Sequence, residues 1–255
     1  MFLPLLLALQ SPASLPTMDE VKLGECIKLA GGDAPSGIAD ASAWSGKGGG
    51  WRARQCLGFA QFKAGNPSAA MVAYEQAATL AAAEKSGETG KLWAQAGNAA
   101  LIARDPANAI AFLDKAVATG QLTGDGLGEL HIDRARAYAA SGDMNKAKAD
   151  LEQAHNLVPQ DPLGWLLSAT LARREGDLTR AKADIATAAK LATQDPAIAL
   201  EAGNIAISAG DEVGARKNWQ AAVDLEPGSA AAETAKAHLA QLAAATPAAP
   251  PTKSR

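Results

Sequence analysis

Three glycine-aspartate pairs, Gly142-Asp143, Gly176-Asp177 and Gly210-Asp211, recur every 34 residues, and no other feature constrains the chain as much. A fixed period of this length means tandem units, each unable to bury its apolar face alone and obliged to stack on its neighbours. Each unit reads as two helices broken at the pair. The glycine ends the first helix in a left-handed conformation, and the aspartate caps the start of the second. Asp161-Pro162 and Asp195-Pro196 open the following units in the same way, with proline at the first helical position, where no N–H is needed. Ala169 and Ala181 are small where the two helices of a unit cross, which brings the axes to the short end of the ~8–10 Å packing range. Trp165, Ile185 and Leu191 surround that contact at helical spacing.

With the glycine of each pair set to position fifteen, five units align over about 175 residues. Trp93 and Trp165 share position four, Tyr138 takes eleven, and Gly58, Gly97, Ala135, Ala169 and Gly203 share position eight. Ala70, Ala109, Ala147, Ala181 and Ala215 stand at twenty, and the large residues Tyr74, Leu113, Leu151, Ile185 and Trp219 at twenty-four. Ala77, Ala116, Ala154, Ala188 and Ala222 stand at twenty-seven, and Pro159 and Pro227 at thirty-two. This pattern resembles the tetratricopeptide repeat, whose Trp, Leu-Gly, Tyr, Ala, Phe, Ala and Pro signature falls at these places. The resemblance implies an all-α fold, a right-handed superhelix (α-solenoid) of stacked antiparallel helix pairs. Arg54 and His131 at the Trp position, and Arg134 at the Leu position, depart from it and predict looser packing in those two repeats.

The rest of the chain is read around this array. Phe2–Leu9 is an apolar run followed by Ser11-Pro12-Ala13, which fits an export signal over residues 1–16 cut at a small-residue site. No Lys or Arg precedes the run, so a cytosolic N-terminus or a misassigned start stays open beside a periplasmic or secreted home. If exported, the chain resembles bacterial members of the family. Residues 17–46 read as a degenerate leading helix pair, with helices at Glu20–Leu29 and about Ala34–Ala43 joined at Gly31-Gly32-Asp33. Gly46–Gly50 reads as a flexible break. Residues 47–227 hold the five repeats, with extra residues at Glu84–Gly90 and Thr119–Gly126, between units, where loop length costs little. Residues 228–244 predict a capping helix with one apolar and one wet face, and residues 245–255 a disordered Pro/Ala tail.

Catalytic chemistry has no foothold in this pattern. His131, His155 and His238 fall in separate helices without metal-ligand spacing, and Gly48-Gly49-Gly50 lacks the Lys-Ser/Thr of a phosphate loop. The reading is therefore a non-enzymatic scaffold with no cofactor and no metal. A formal net charge of −3 leaves no electrostatic footprint for nucleic acid, and no apolar stretch approaches a membrane span.

Family resemblance places a partner-binding groove on the first helices, at Gln55, Phe59, Phe62, Gln95, Asn98, Asp133, Arg136, Thr170, Arg173, Arg174, Glu201 and Asn204. Asn98 and Asn204 match the asparagine of the carboxylate clamp found in some members. The accompanying lysine is replaced by Ala94 and Leu200, so the clamp does not carry over. Arg136, Arg173 and Arg174 predict a basic patch for an acidic or C-terminal-carboxylate segment of another protein. The alternative is three solvated arginines with Asp133 or Glu175 as passing partners. A structural role in assembling a cell-envelope complex, through the convex surface or the tail, is the other functional reading. Cys26 and Cys56, the only cysteines, fall on positions that converge in peptide-binding members. They form a disulfide if the chain is exported, and are two small reduced residues if it is not.

Overall fold

The computed structural model describes residues 15–245, so the export-signal run and the tail after Ala245 lie outside the described residues. Among the described residues there are thirteen α-helices and no strand. They fall into two compact units divided within one helix, after Ala99.

The first unit contains α1 (Met18–Gly32), α2 (Ala34–Gly46), α3 (Gly50–Lys63), α4 (Pro67–Ala83) and the start of α5 (Thr89–Ile102). α1 begins at a capping box. Thr17 accepts from the Glu20 N–H while the Glu20 carboxylate accepts from the Thr17 N–H, so two orphan donors are satisfied at once. Asp33 then caps α2 through the Ser36 N–H. The glycine run that reads as a flexible break is a packed turn. α2 runs through Gly46, α3 begins at Gly50, and Gly49 lies against the Trp44 ring so closely that a side chain there would overlap it. α1 and α3 are also joined covalently. Cys26 and Cys56 form a disulfide with their Cα atoms 6.1 Å apart, buried among Ala41, Leu23, Ile27 and Leu57.

The second unit continues with α6 (Pro106–Ala118), α7 (Gly124–Ser141), α8 (Met144–Leu157), α9 (Pro162–Glu175), α10 (Leu178–Leu191), α11 (Pro196–Ser208), α12 (Glu212–Leu225) and α13 (Ala230–Ala245). Asp143, Asp177 and Asp211 each accept a backbone N–H three residues on, and Gly142, Gly176 and Gly210 are left-handed. Arg104 stands at the corresponding turn with φ 60°, where an L side chain crowds the backbone. Each odd-numbered helix from α7 packs on the even-numbered helix after it. α7, α9, α11 and α13 also touch in succession, which lays the first helices side by side as one wall. The core is alanine-rich, with Ala147, Ala154, Ala181, Ala188, Ala215 and Ala222 fully buried or nearly so.

In four of the five repeats the size of position eight tracks its partner at twenty-four, Gly97 with Leu113 being the exception. Where the partner is aromatic, position eight is glycine: a Cβ on Gly203 would run into the Trp219 ring, and one on Gly58 into Tyr74. Where the partner is Leu151 or Ile185, Ala135 and Ala169 fill the place.

The third repeat does not pack loosely around its misfit residues. Arg134 donates from Nε and Nη2 to Asp150 at 2.8 and 2.7 Å and from Nη1 to Asp114 on α6 at 2.9 Å, while His131 Nδ1 lies 2.8 Å from Asp150. Asp150 is only 4% exposed. Burial alone would raise its carboxyl, but the bonds from His131 and Arg134 outweigh burial and hold it below the usual carboxylate range. Polar side chains have taken over the work of the missing Trp and Leu.

Candidate partner-binding site

The twelve first-helix residues divide between the two units. In the first, Gln55 on α3 donates to Gln95 on α5 at 3.4 Å, Phe59 and Asn98 are half-buried, and Phe62 is exposed. In the second, Asp133 and Arg136 stand on α7, Thr170, Arg173 and Arg174 on α9, and Glu201 and Asn204 on α11. α7 touches α9 and α9 touches α11, which sets the three helices that carry these seven side by side.

The three arginines do not act as one patch. Arg173 turns to α11, where Nε donates to Glu201 Oε1 at 2.6 Å and Nη2 to Oε2 at 3.3 Å. Glu201 is buried, so this pair is shielded and its charge is spent internally. Its partner is therefore Glu201, not Asp133 or Glu175. Glu175 instead pairs with Lys148 at 2.8 Å. Asn204 is engaged at both ends, donating to Glu201 and accepting from Trp219 Nε1 at 3.1 Å, which is a physical reason for it to serve packing and not a ligand. Arg136 donates to Asp133 at 2.8 Å on its own helix and is a third exposed. Arg174 is exposed and has no charged partner among the described residues.

Between α7, α8 and α9 lies a hollow of about 280 Å³. Ala135, Ala139, Ala140 and Ala147 leave the space, Leu151, Leu167 and Leu171 wall it, and Arg136, Thr170 and Arg174 stand at its edge. A second hollow of about 460 Å³, between α9, α11, α12 and α13, is lined by Arg173, Asn204, Trp219, His238 and Gln241, with the His238 and Trp219 ring centroids 5.0 Å apart. The leucine walls do not show in the sequence reading, because they come from two helices of different repeats. The signal for the first hollow was there: α7 carries alanine at 135, 137, 139 and 140. Among the described residues no group of three or more His, Cys, Asp or Glu could hold a metal ion, and no helix is long and apolar enough to cross a membrane.

Residues 128–160, which are most of α7 and all of α8, match the sequence profile of the tetratricopeptide repeat. That stretch is a tetratricopeptide repeat. Solved tetratricopeptide-repeat structures share the chain's fold at low sequence identity. PilW, described as a widely conserved type IV pilus biogenesis factor, superposes with a TM-score of 0.69 at 18% identity, over 86% of this chain and 99% of that one. PilF of Pseudomonas aeruginosa gives 0.67 at 15% identity, over 87% and 100%. YrrB, described as a TPR protein with an unusual peptide-binding site, gives 0.53 at 17% identity, over 72% and 91%. No curated protein matches the chain in sequence.

Proposed function

We propose that the chain is a non-enzymatic scaffold that binds an extended, acidic segment of a partner protein along the first-helix wall of its second unit. The observation that carries the reading is the hollow between α7 and α9, apolar inside and edged by Arg136 and Arg174 in a protein whose net charge is −3. An open concavity with a few polar groups at its rim suits recognition, and arginine holds carboxylates in a bidentate grip. Tetratricopeptide repeats are protein-interaction modules in general, and the fold of YrrB carries a peptide-binding site.

The test is a photo-crosslinking residue at Thr170, on the wall, compared with one at Lys182, on the exposed side of α10, in the native source. A partner captured from Thr170 and not from Lys182 is the expected result. Capture from Lys182 alone would move the interaction to the outer face. That outcome belongs to a second reading, a structural assembly factor of a cell-envelope complex. It draws support from the Cys26–Cys56 disulfide, which fits an oxidising compartment, and from the likeness in fold to PilW and PilF.

A further inference from the structure

We infer that the hollow between α7 and α9 is an anchor pocket for one bulky apolar side chain that has a carboxylate as its immediate neighbour in the partner segment. The inference deepens the wall-binding reading and rests on it. The interior is hydrocarbon: Ala139 and Ala140 on α7 face Leu167 and Leu171 on α9 across about 280 Å³. Apolar cavities of roughly 150 Å³ already accept benzene, so this space has room for the side chain of Leu, Met or Phe. Burying such a side chain here is favourable, and water gains little from a site without polar partners inside. The rim supplies the second half of the recognition. Arg174 is uncommitted among the described residues, and Arg136 is tied only to Asp133, one helical turn away on the same exposed wall. A carboxylate beside the anchor residue would meet one guanidinium or both, in a concave setting where screening is reduced.

Charge and size together select the occupant. The chain's own C-terminal stretch, Thr246–Arg255, contains no Leu, Ile, Val, Met or aromatic residue and carries Lys253 and Arg255, so it offers neither an anchor nor the right sign. The neighbouring hollow is a poorer candidate because its arginine, Arg173, is already neutralised by the buried Glu201. The fitting partner is a protein segment with a large apolar residue next to Asp or Glu, or with that residue at its C-terminus.

The experiment is selection of a displayed library of random linear peptides on the full chain, with the disulfide intact. The enriched peptides are then measured against two variants, Ala140→Leu and Arg174→Glu. Ala140 is exposed, so leucine there fills the mouth of the hollow without entering the helix contact. Enriched peptides should share a Leu, Met or Phe adjacent to Asp, Glu or the C-terminus. Ala140→Leu should weaken them roughly thirtyfold, the loss that goes with one hot-spot side chain. Arg174→Glu should weaken acidic peptides and spare their amidated, Gln-substituted counterparts. Enriched peptides without this pair, or with unchanged affinity for Ala140→Leu, would overturn the anchor pocket and leave wall binding standing. If no peptide is enriched, wall binding of linear segments fails and the pocket fails with it.

Discussion

Gly203→Ala tests whether close helix contact in this chain is set by matched pairs of small and large residues. A Cβ at Gly203 would stand 2.9 Å from Trp219 Cγ and nearer still to Cδ1 and Nε1, well inside van der Waals contact. The ring cannot swing aside freely, since it is 4% exposed, bonded through Nε1 to Asn204 and packed against His238. Three effects compete. Replacing glycine by alanine inside α11 favours the helix by about 1 kcal/mol. Overpacking costs about 1–3 kcal/mol, and loss of the Trp219 hydrogen bond about 1 kcal/mol more. The net expectation is a destabilisation of about 1–3 kcal/mol. In a Trp219→Leu background the pair becomes Ala with Leu, the combination already present at Ala135 and Leu151, so the penalty should vanish and leave the helix gain. Urea unfolding followed by far-ultraviolet circular dichroism gives the free energies. Hydrogen exchange in α11 to α13 localises the change, because a repeat array can open unit by unit. If Gly203→Ala is neutral or stabilising in the parent chain, or equally damaging beside Trp219→Leu, the paired-size account is wrong.

Three further expectations follow from single observations. Arg104→Gly relieves a left-handed turn at φ 60° and should raise stability by roughly 0.5–1 kcal/mol in the same urea assay. Opening the Cys26–Cys56 bridge releases a loop with a sequence separation of 30, worth about 3–4 kcal/mol by chain entropy, so reductant should lower the melting temperature; alkylation of unreduced native protein in denaturant should label neither cysteine. Asp150→Ala removes two of the three hydrogen bonds of Arg134 and the His131 contact, leaving Arg134 only Asp114, and should cost about 1–3 kcal/mol. Because the Asp150 carboxyl is depressed in the fold, its contribution is present above the ordinary carboxylate value near ~3.9 and lost as pH falls through the lowered one; stability of the variant should depend less steeply on acid below about pH 4.

The turns and caps were legible because their chemistry is local: the Gly142-Asp143 pair determines its own conformation within a few residues. The Thr17…Glu20 capping box was equally local, and reading it would have started α1 at Met18 instead of Glu20. Contacts between helices were harder to read. Gly46–Gly50 carries the composition of a linker, and only the Trp44 ring lying on Gly49 makes it a tight turn. Arg134 was visible as a misfit, but its partners Asp150 and Asp114 lie 16 and 20 residues away on two other helices. The partner of Arg173, Glu201, is 28 residues off, and no pattern within one repeat predicts it. The wall residues were placed by register; which of them keep a free charge was decided by neighbours that register does not name.

The Asp114–Arg134–Asp150 bridge bears on how the modules find their order. Alanine stands at position twenty of every repeat, so one pair of helices is nearly as good a neighbour as another by apolar contact alone, and arrays of like modules are prone to join out of sequence. Arg134 reaches back to α6 and across to α8, tying one particular module to the one before it. A wrong neighbour would leave Arg134 without Asp114, one of its two carboxylate partners, and mis-joined arrays would lack that contact. The bridge thus works as an address label between two modules whose apolar surfaces could not tell each other apart.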